Sequence, residues 1–476
     1  MNVYLVKIWQ AIDNSYWFVP SLMVSAAFVL SLVTTAIDSR IGSEWMEDIN
    51  WLNANRPAGA RAVLSTVAGS MITVAGVTFS MTILSISQTT SQVGPRLMNN
   101  FMRDKANQFT LGVFISTFIY CLMVLRTVRN AETASPGSSA SADLAAAFVP
   151  HVAVIVGVLM AIVSVGVLIF FVHHIPESMH VSNIIAGVGR GLNKQIEHQF
   201  PDRIGEPHPG QTEQPVEADL PKSFYSDAQS IYCTGTGYLE YIDGGELIQL
   251  ASKHHLILEV VPMAGDFVTE QTVILRASPS HRIDDDLNGK LSALFVLGVQ
   301  RNATQDLRFQ VNQLVEVAMR ALSPGVNDPF TATNCMDWLQ SALENFAARK
   351  LPDAQRFDHE QKLRVVAEPL SFGRFASLVF DQLRPYVVSD RTASMKMMEM
   401  IGNLVVAVPT TSTRRLLARH ACALRRECRT VLADRRALNS LDVRYRAVLR
   451  LLVDGAHRAQ AKKSGNWLPS TERDVH

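Results

Sequence analysis

The most regular chemical pattern in the chain is four hydroxyls at seven-residue spacing: Thr66, Thr73, Ser80 and Ser87. They lie within Ala62–Ser87, an uncharged apolar run of 26 residues. Seven residues are nearly two helical turns, so the four share one face and drift only about 20° per heptad. Thr78, Thr82, Ser85 and Thr89 form an adjacent set, and Gly69 and Gly76, with Ala68 and Ala75, offer a flat face beside them. Inside a membrane, hydroxyls bond their own helix, join neighbouring helices or replace ion hydration. The run is therefore either the packing helix of a bundle or the lining of a permeation path.

Three further groups carry chemical interest. Asn327 and Asp328, between Pro324 and Pro329, could hold a cation or a phosphate-bearing ligand, and Arg301 and Asp306 could pair with this loop. The same residues also suit a helix stop followed by a helix N-cap with proline in the first turn. Arg96 and Arg103 lie in the polar segment Ser91–Gln108. They could gate the preceding helix or contact headgroups, the latter worth about 1 kcal/mol per basic residue. His173-His174 and His254-His255 are adjacent pairs, and adjacent side chains diverge on a helix or strand, which is poor geometry for one metal. Metalloprotease, nucleophile-elbow, phosphate-loop and paired C-x-x-C signatures are absent. No catalytic residue, metal site, cofactor or enzymatic activity is expected.

The elements that must position these groups fall into two unlike halves. Four apolar segments stand out: Trp17–Ile37, Ala62–Ser87, Phe109–Val128 and Phe148–Val172. Each is long enough to cross about 30 Å of hydrocarbon. No Asp, Glu, Lys or Arg lies in their central turns. Ion-coupled transporters keep ionisable groups there, so a carboxylate-driven transporter is disfavoured. Lysine and arginine are almost balanced across the loops, leaving orientation to the second half. That half carries unpaired cysteines and many arginines, and no export signal is evident to carry it across. With an even number of spans, both termini are expected in the cytoplasm of a cell bounded by an inner membrane.

Net charge is +1, which argues for no nucleic-acid partner. The arginines from Arg414 to Arg450 read as solvated faces or lipid contacts, since only Tyr445 accompanies them. Pro176–Gln199 reads as an amphipathic continuation of the fourth span, and Pro201–Pro221 as a linker. Gly235–Asp243, Leu247–Pro262 and Gly265–Leu275 read as strands with glycine turns. Helices are expected from Leu287, over Asp306–Leu322, from Asp328 to Phe346, and over Gly373–Leu383, Thr392–Val406, Thr411–Ala433 and Ser440–Gln460. Pro352–His359 reads as loop and Leu363–Pro369 as a strand. The expected organisation is a four-span α-helical membrane domain (1–175), an amphipathic segment and linker (176–222), a small β-rich subdomain (223–280), a mainly helical cytoplasmic domain (281–464) and a disordered tail (465–476).

The run Ala321-Leu322-Ser323-Pro324-Gly325-Val326-Asn327-Asp328-Pro329-Phe330-Thr331-Ala332 resembles the bacterial predicted membrane proteins grouped as domain-of-unknown-function family 2254. Pro95-Arg96-Leu97, Gly237-Tyr238, Gly265-Asp266-Phe267-Val268 and Gln305-Asp306 fit the same pattern, so the likeness spans nearly the whole chain. It implies an inner-membrane protein with a cytoplasmic C-terminal region, and carries over no catalytic residue. The functional expectation is a channel-like or transport-related homo-oligomer in the bilayer, passing a small ion or solute under a cytoplasmic regulatory domain. The competing expectation is a membrane-anchored sensor or scaffold without a permeation path.

Overall fold

The computed structural model describes residues 16–41, 57–97, 104–129, 149–200, 220 and 223–468. They form two compact units, the first through Ser91 and from Pro95 to His180, the second comprising Gln92–Gly94 and Val181 onward.

Among the described residues, the first unit has four helices long and apolar enough to span a membrane. They are α1 (Phe18–Ile41), α2 (Pro57–Val93), α3 (Lys105–Thr127) and α4 (His151–Ser178). At about 1.5 Å per residue, the 37 residues of α2 reach about 56 Å, well beyond the hydrocarbon core. The most buried of the four is α3, which packs on α1 and α4. A side chain at Gly112 of α3 would lie 3.3 Å from the Pro20 Cα of α1, so glycine is what permits this close approach. Ala60, Leu64 and Ala68 of α2 join Tyr120, Cys121 and Val124 of α3 and Ala153 and Val154 of α4 in one apolar cluster.

Several polar groups within this bundle pair across helices. Both carboxylate oxygens of Asp38, near the end of α1, accept from the first turn of α4, at 2.9 Å from Val152 N–H and 2.9 Å from Ala153 N–H. Pro150, at the cap position itself, has no side chain able to do this. Thr34 and Tyr120 share a hydroxyl bond of 3.0 Å, and Tyr120 donates onward to the Ala153 carbonyl. Thr117 and Ser164 meet at 3.0 Å.

The second unit opens with α5 (Val181–Gln199), separated from α4 by the turn at Met179-His180. The expected continuous Pro176–Gln199 segment is thus interrupted. Its amphipathic face packs on α8 (Leu307–Ala321) and α9 (Pro329–Ala347), with Gly189 directly against the Trp338 ring. Five strands form a sheet in the order β1 (Gln229–Tyr232), β5 (Val273–Ser278), β3 (Ile257–Val260), β8 (Leu363–Ala367) and β7 (Gln355–Phe357). Only β3 and β8 run parallel. A second sheet orders β4 (Phe267–Val268), β2 (Gly237–Ile242) and β6 (Phe295–Gly298). Helices α6 (Gly244–Lys253) and α7 (Asp285–Ser292) contribute Leu247, Ala251, Leu287 and Leu291 to the core between them. The remainder is helical: α10 (Phe372–Val387), α11 (Arg391–Ala407), α12 (Thr411–Val431), α13 (Arg435–Val453) and α14 (Gly455–Ser464).

Several expectations need correction. Leu247–Pro262 is not all strand: Asp243 accepts from Glu246 N–H and starts α6, and the chain turns at His255 with φ 51° before β3. Pro352–His359 contains β7, and the stretch after α7 returns to the sheet as β6. Ser440–Gln460 is two helices, because Asp454 ends α13 and its carboxylate caps α14. Trp467, within the expected tail, is buried against Gly402 and donates to Asn403 Oδ1 at 2.7 Å.

The α4 cap makes a specific prediction. Replacing Asp38 with Ala leaves two N–H groups unmatched and is expected to cost about 1–2 kcal/mol, and Asn, whose single amide oxygen can accept only one of them, should restore only part of it. The thermal midpoint of the full chain in detergent reads this difference.

Candidate functional site

The hydroxyl stripe lies on α2, and its orientation is defined by burial. Ala60, Leu64, Ala68, Met71, Ala75, Thr78, Thr82, Ile86 and Thr89 face the bundle. Thr66, Thr73, Ser80 and Ser87 are exposed, on the opposite side of the helix. The two hydroxyl sets therefore diverge: Thr78, Thr82 and Thr89 turn inward, and the heptad turns outward. Three of the four outward hydroxyls donate to the carbonyl four residues back, Thr66 to Ala62 at 2.7 Å, Thr73 to Gly69 at 2.8 Å and Ser80 to Gly76 at 2.9 Å. Gly69 and Gly76 share this outward face, and a side chain built on either meets nothing within 4 Å. The result is an outward face of glycine and self-satisfied hydroxyls, interleaved with exposed Val77 and Leu84, pointing away from the other spans.

Arg301 and Asp306 come together, but not at the Asn327–Asp328 loop. Asp306 caps the first turn of α8, accepting from Arg308 N–H at 3.0 Å, and is 3% exposed. Its other oxygen accepts from Arg301 Nε and Nη2, at 2.8 and 2.6 Å. Arg308 crosses to Asp266 at 2.9 Å and to the Ala264 carbonyl at 2.6 Å. This closes the turn that feeds β4. Gly265 sits in that turn at φ +90°, and its α-carbon abuts the Asp306 carboxylate where any side chain would collide. Gln305 inserts its amide like a strand edge, bonding both N–H and C=O of Ile242 at 2.9 and 3.0 Å. The run Gln305–Arg308 thus fastens α8 to the smaller sheet.

Asn327 and Asp328 lie at the opposite end of α8, about 22 Å away along 15 residues of helix. The expected pairing of Arg301 and Asp306 with this loop does not occur. Asn327 adopts φ 48°, which asparagine tolerates, and is exposed. Asp328 caps α9: one oxygen accepts from Thr331 N–H at 3.0 Å and the other from the Thr331 hydroxyl at 2.6 Å. Those bonds hold its carboxyl below its ordinary range, with burial opposing them. Val326 and Phe330 flank the cap and are exposed.

Arg96 is exposed on a single 3-10 turn, Pro95–Leu97. Arg103 lies outside the described residues. Among the described residues, no group of three or more His, Cys, Asp or Glu is arranged to hold a metal ion. Much of the arginine run is used internally: Arg425 and Arg429 both pair with Asp442, Arg425 lies 4.6 Å over the Tyr445 ring, and buried Arg444 pairs with Glu399 at 3.1 Å. The Asp38 cap of α4 and the Gln305–Ile242 graft were not anticipated. Asp38 is marked only as a polar residue at the end of an apolar run, and Gln305, within a polar stretch, carries no signal of its own.

The model of the family described as "Predicted membrane protein (DUF2254)" matches residues 13–403. An uncharacterized protein of Mycobacterium tuberculosis and one of Mycobacterium bovis are each 29% identical over 379 residues. The matches cover 79% of this chain and 68% of each relative. No solved structure matches.

The Asp328 cap predicts a pH dependence. A carboxyl with a lowered folded-state pKa stabilises above its unfolded value, near pH 4, and loses that contribution as pH falls through the folded value. Asp328→Ala is expected to cost about 1 kcal/mol at pH 7. Thermal midpoints of wild type and variant should converge as the pH approaches about 2.

Proposed function

The chain belongs to this family of predicted membrane proteins, and from the orientation of its hydroxyl stripe we propose that it forms a channel-like homo-oligomer with a cytoplasmic regulatory region. The observation that carries this reading is the outward ridge of Thr66, Gly69, Thr73, Gly76 and Ser80 on α2. Inside hydrocarbon, small residues at this spacing let backbones approach closely, and hydroxyls bond across helices. The ridge turns away from its own bundle, so its partner is a second copy of the same helix, and a path forms between copies rather than within one.

The chemistry of such a path follows from the hydroxyls. Each donates its proton to its own helix, so the oxygen lone pairs are what the face offers. Oxygen acceptors favour a small cation or a hydrogen-bond-donating solute over an anion. Among the four described spans no acidic or basic side chain lies in the central turns, which fits passive or gated passage. The second unit supports a cytoplasmic placement in the inner membrane, with both termini inside. Its cysteines Cys233, Cys335, Cys422 and Cys428 are all free thiols, as suits a reducing compartment.

Single cysteines test the assembly in native membranes, in a background where exposed Cys422 is serine. Oxidation is expected to cross-link Thr66→Cys, Thr73→Cys and Ser80→Cys between copies, but not Ile169→Cys on the exposed face of α4. Gly76→Leu should weaken association about tenfold, roughly 1.4 kcal/mol. In reconstituted vesicles the wild type should pass small cations, and Gly76→Leu should lose that flux. A wild type that passes neither ion nor small solute across a range of pH and voltage leaves the conducting role without support.

A further inference from the structure

A cavity of about 950 Å³ lies wholly within the second unit. That is the size of sites that take small organic ligands. It opens at the carboxyl ends of the only parallel strand pair among the described residues, where Val260–Pro262 after β3 meet Ala367–Leu370 after β8. Crevices at the carboxyl ends of parallel strands are where α/β sheets bind ligands, because backbone groups and helix starts converge there. Ile248 of α6, Leu307 of α8 and Phe200 after α5 complete its apolar wall.

The charges around this cavity are almost all matched. Asp306 is held by Arg301 and Arg308, and Arg308 by Asp266 as well. Glu259 pairs with Arg276 at 2.8 Å and accepts from the Tyr225 hydroxyl. Glu368 and Arg374 meet at 3.6 Å. Arg356 on β7 is the exception. It is half-buried and lines the cavity, and its Nη1 donates at 3.0 Å to the carbonyl of Gln355, its neighbour in the chain. Among the described residues it makes no ion pair with a carboxylate. A guanidinium has five N–H donors and cannot shed its charge, so a half-buried one calls for an anionic partner.

We propose that this cavity binds a small organic monoanion, its carboxylate on Arg356 and its apolar body against the ends of β3 and β8. Exposed Asp353 acts on Arg356 only through space, without an ion pair, so one added negative charge can still be matched there. Further negative charge on the ligand would face Glu259, Asp306 and Glu368 across the same space. The apolar wall favours an ion with a hydrocarbon body over one without, because that part of the lining offers nothing to replace lost hydration. This binding does not require that copies of α2 conduct, so it stands or falls separately from the flux measurement.

The test uses the full chain in lipid nanodiscs, with empty nanodiscs subtracted, and calorimetric titration of 2-naphthaleneacetate. Saturable binding is expected at one per chain. Arg356→Gln should weaken it about tenfold, equal to 1.4 kcal/mol. Arg356→Lys, which keeps the charge, should retain most of it, and Arg426→Gln on the exposed face of α12 should leave it unchanged. The neutral 2-naphthaleneethanol should bind at least tenfold more weakly than the acid. Thermal midpoints of each variant separate lost binding from lost folding. Failure of the wild type to bind the acid, equal binding by a folded Arg356→Gln chain, or equal binding of the alcohol would each overturn the assignment.

Discussion

Two hydrogen bonds from the first turn of α4 to the carboxylate of Asp38 set the terms for the membrane unit. A helix start leaves N–H groups without partners, and hydrocarbon supplies none. Here the partner comes from another helix, so the cap also ties the end of α1 to the start of α4. The same economy runs through the bundle: Thr34, Tyr120 and the Ala153 carbonyl form one chain, and Thr117 closes on Ser164. These pairs tie three helices together, while inward Thr78 and Thr82 bond only their own helix. What remains is the outward ridge of α2, whose hydroxyls are satisfied without using any group of the bundle.

The sequence made the spans, the caps and the helical half legible because each leaves a local mark. Apolar length marks a span whatever it packs on. An Asp, Ser or Thr just before an amphipathic period marks a helix start, as at Asp284, Asp306, Asp328, Ser371, Asp390 and Thr410. The failures share a different cause. Leu247, Ile248, Leu250 and Ala251 are apolar enough for either a strand or a helix, and only the Asp243 cap decides between them. The strand β7 has three residues and owes its existence to antiparallel pairing with β8, which no local pattern announces. At Asp454 a single carboxylate replaces a loop altogether, so two helices read as one.

The site residues illustrate the same limit. Arg301, Asp306, Asn327 and Asp328 are all near α8 in sequence, yet the helix itself holds the two pairs apart. Proximity along a chain becomes distance once a rigid element intervenes, and each acidic residue is then bound by its nearest donor. Asp306 serves the smaller sheet through Arg301 and Arg308, while Asp328 serves α9 through Thr331. The cation left over is Arg356, from a stretch whose polar composition gave no reason to expect a strand.

The length of α2 adds a constraint on what its ridge can contact. About 30 Å of its roughly 56 Å lies in hydrocarbon when the helix stands upright, and tilt lengthens that share only modestly. Its last turns, Ser87-Gln88-Thr89-Thr90-Ser91, are too polar to remain there, so the buried stretch is the one bearing Thr66, Gly69, Thr73, Gly76 and Ser80. Within it Gly69 and Gly76 lie one turn before Thr73 and Ser80 and supply the carbonyls those two hydroxyls bond, as Ala62 does for Thr66. Glycine both lowers the ridge for a neighbouring helix and leaves the hydroxyl oxygen standing clear of it. Packing and lining are therefore not rival uses of this face. A second copy laid against the glycines brings the oxygens of both copies to the edge of the contact, which is where a path between helices would run.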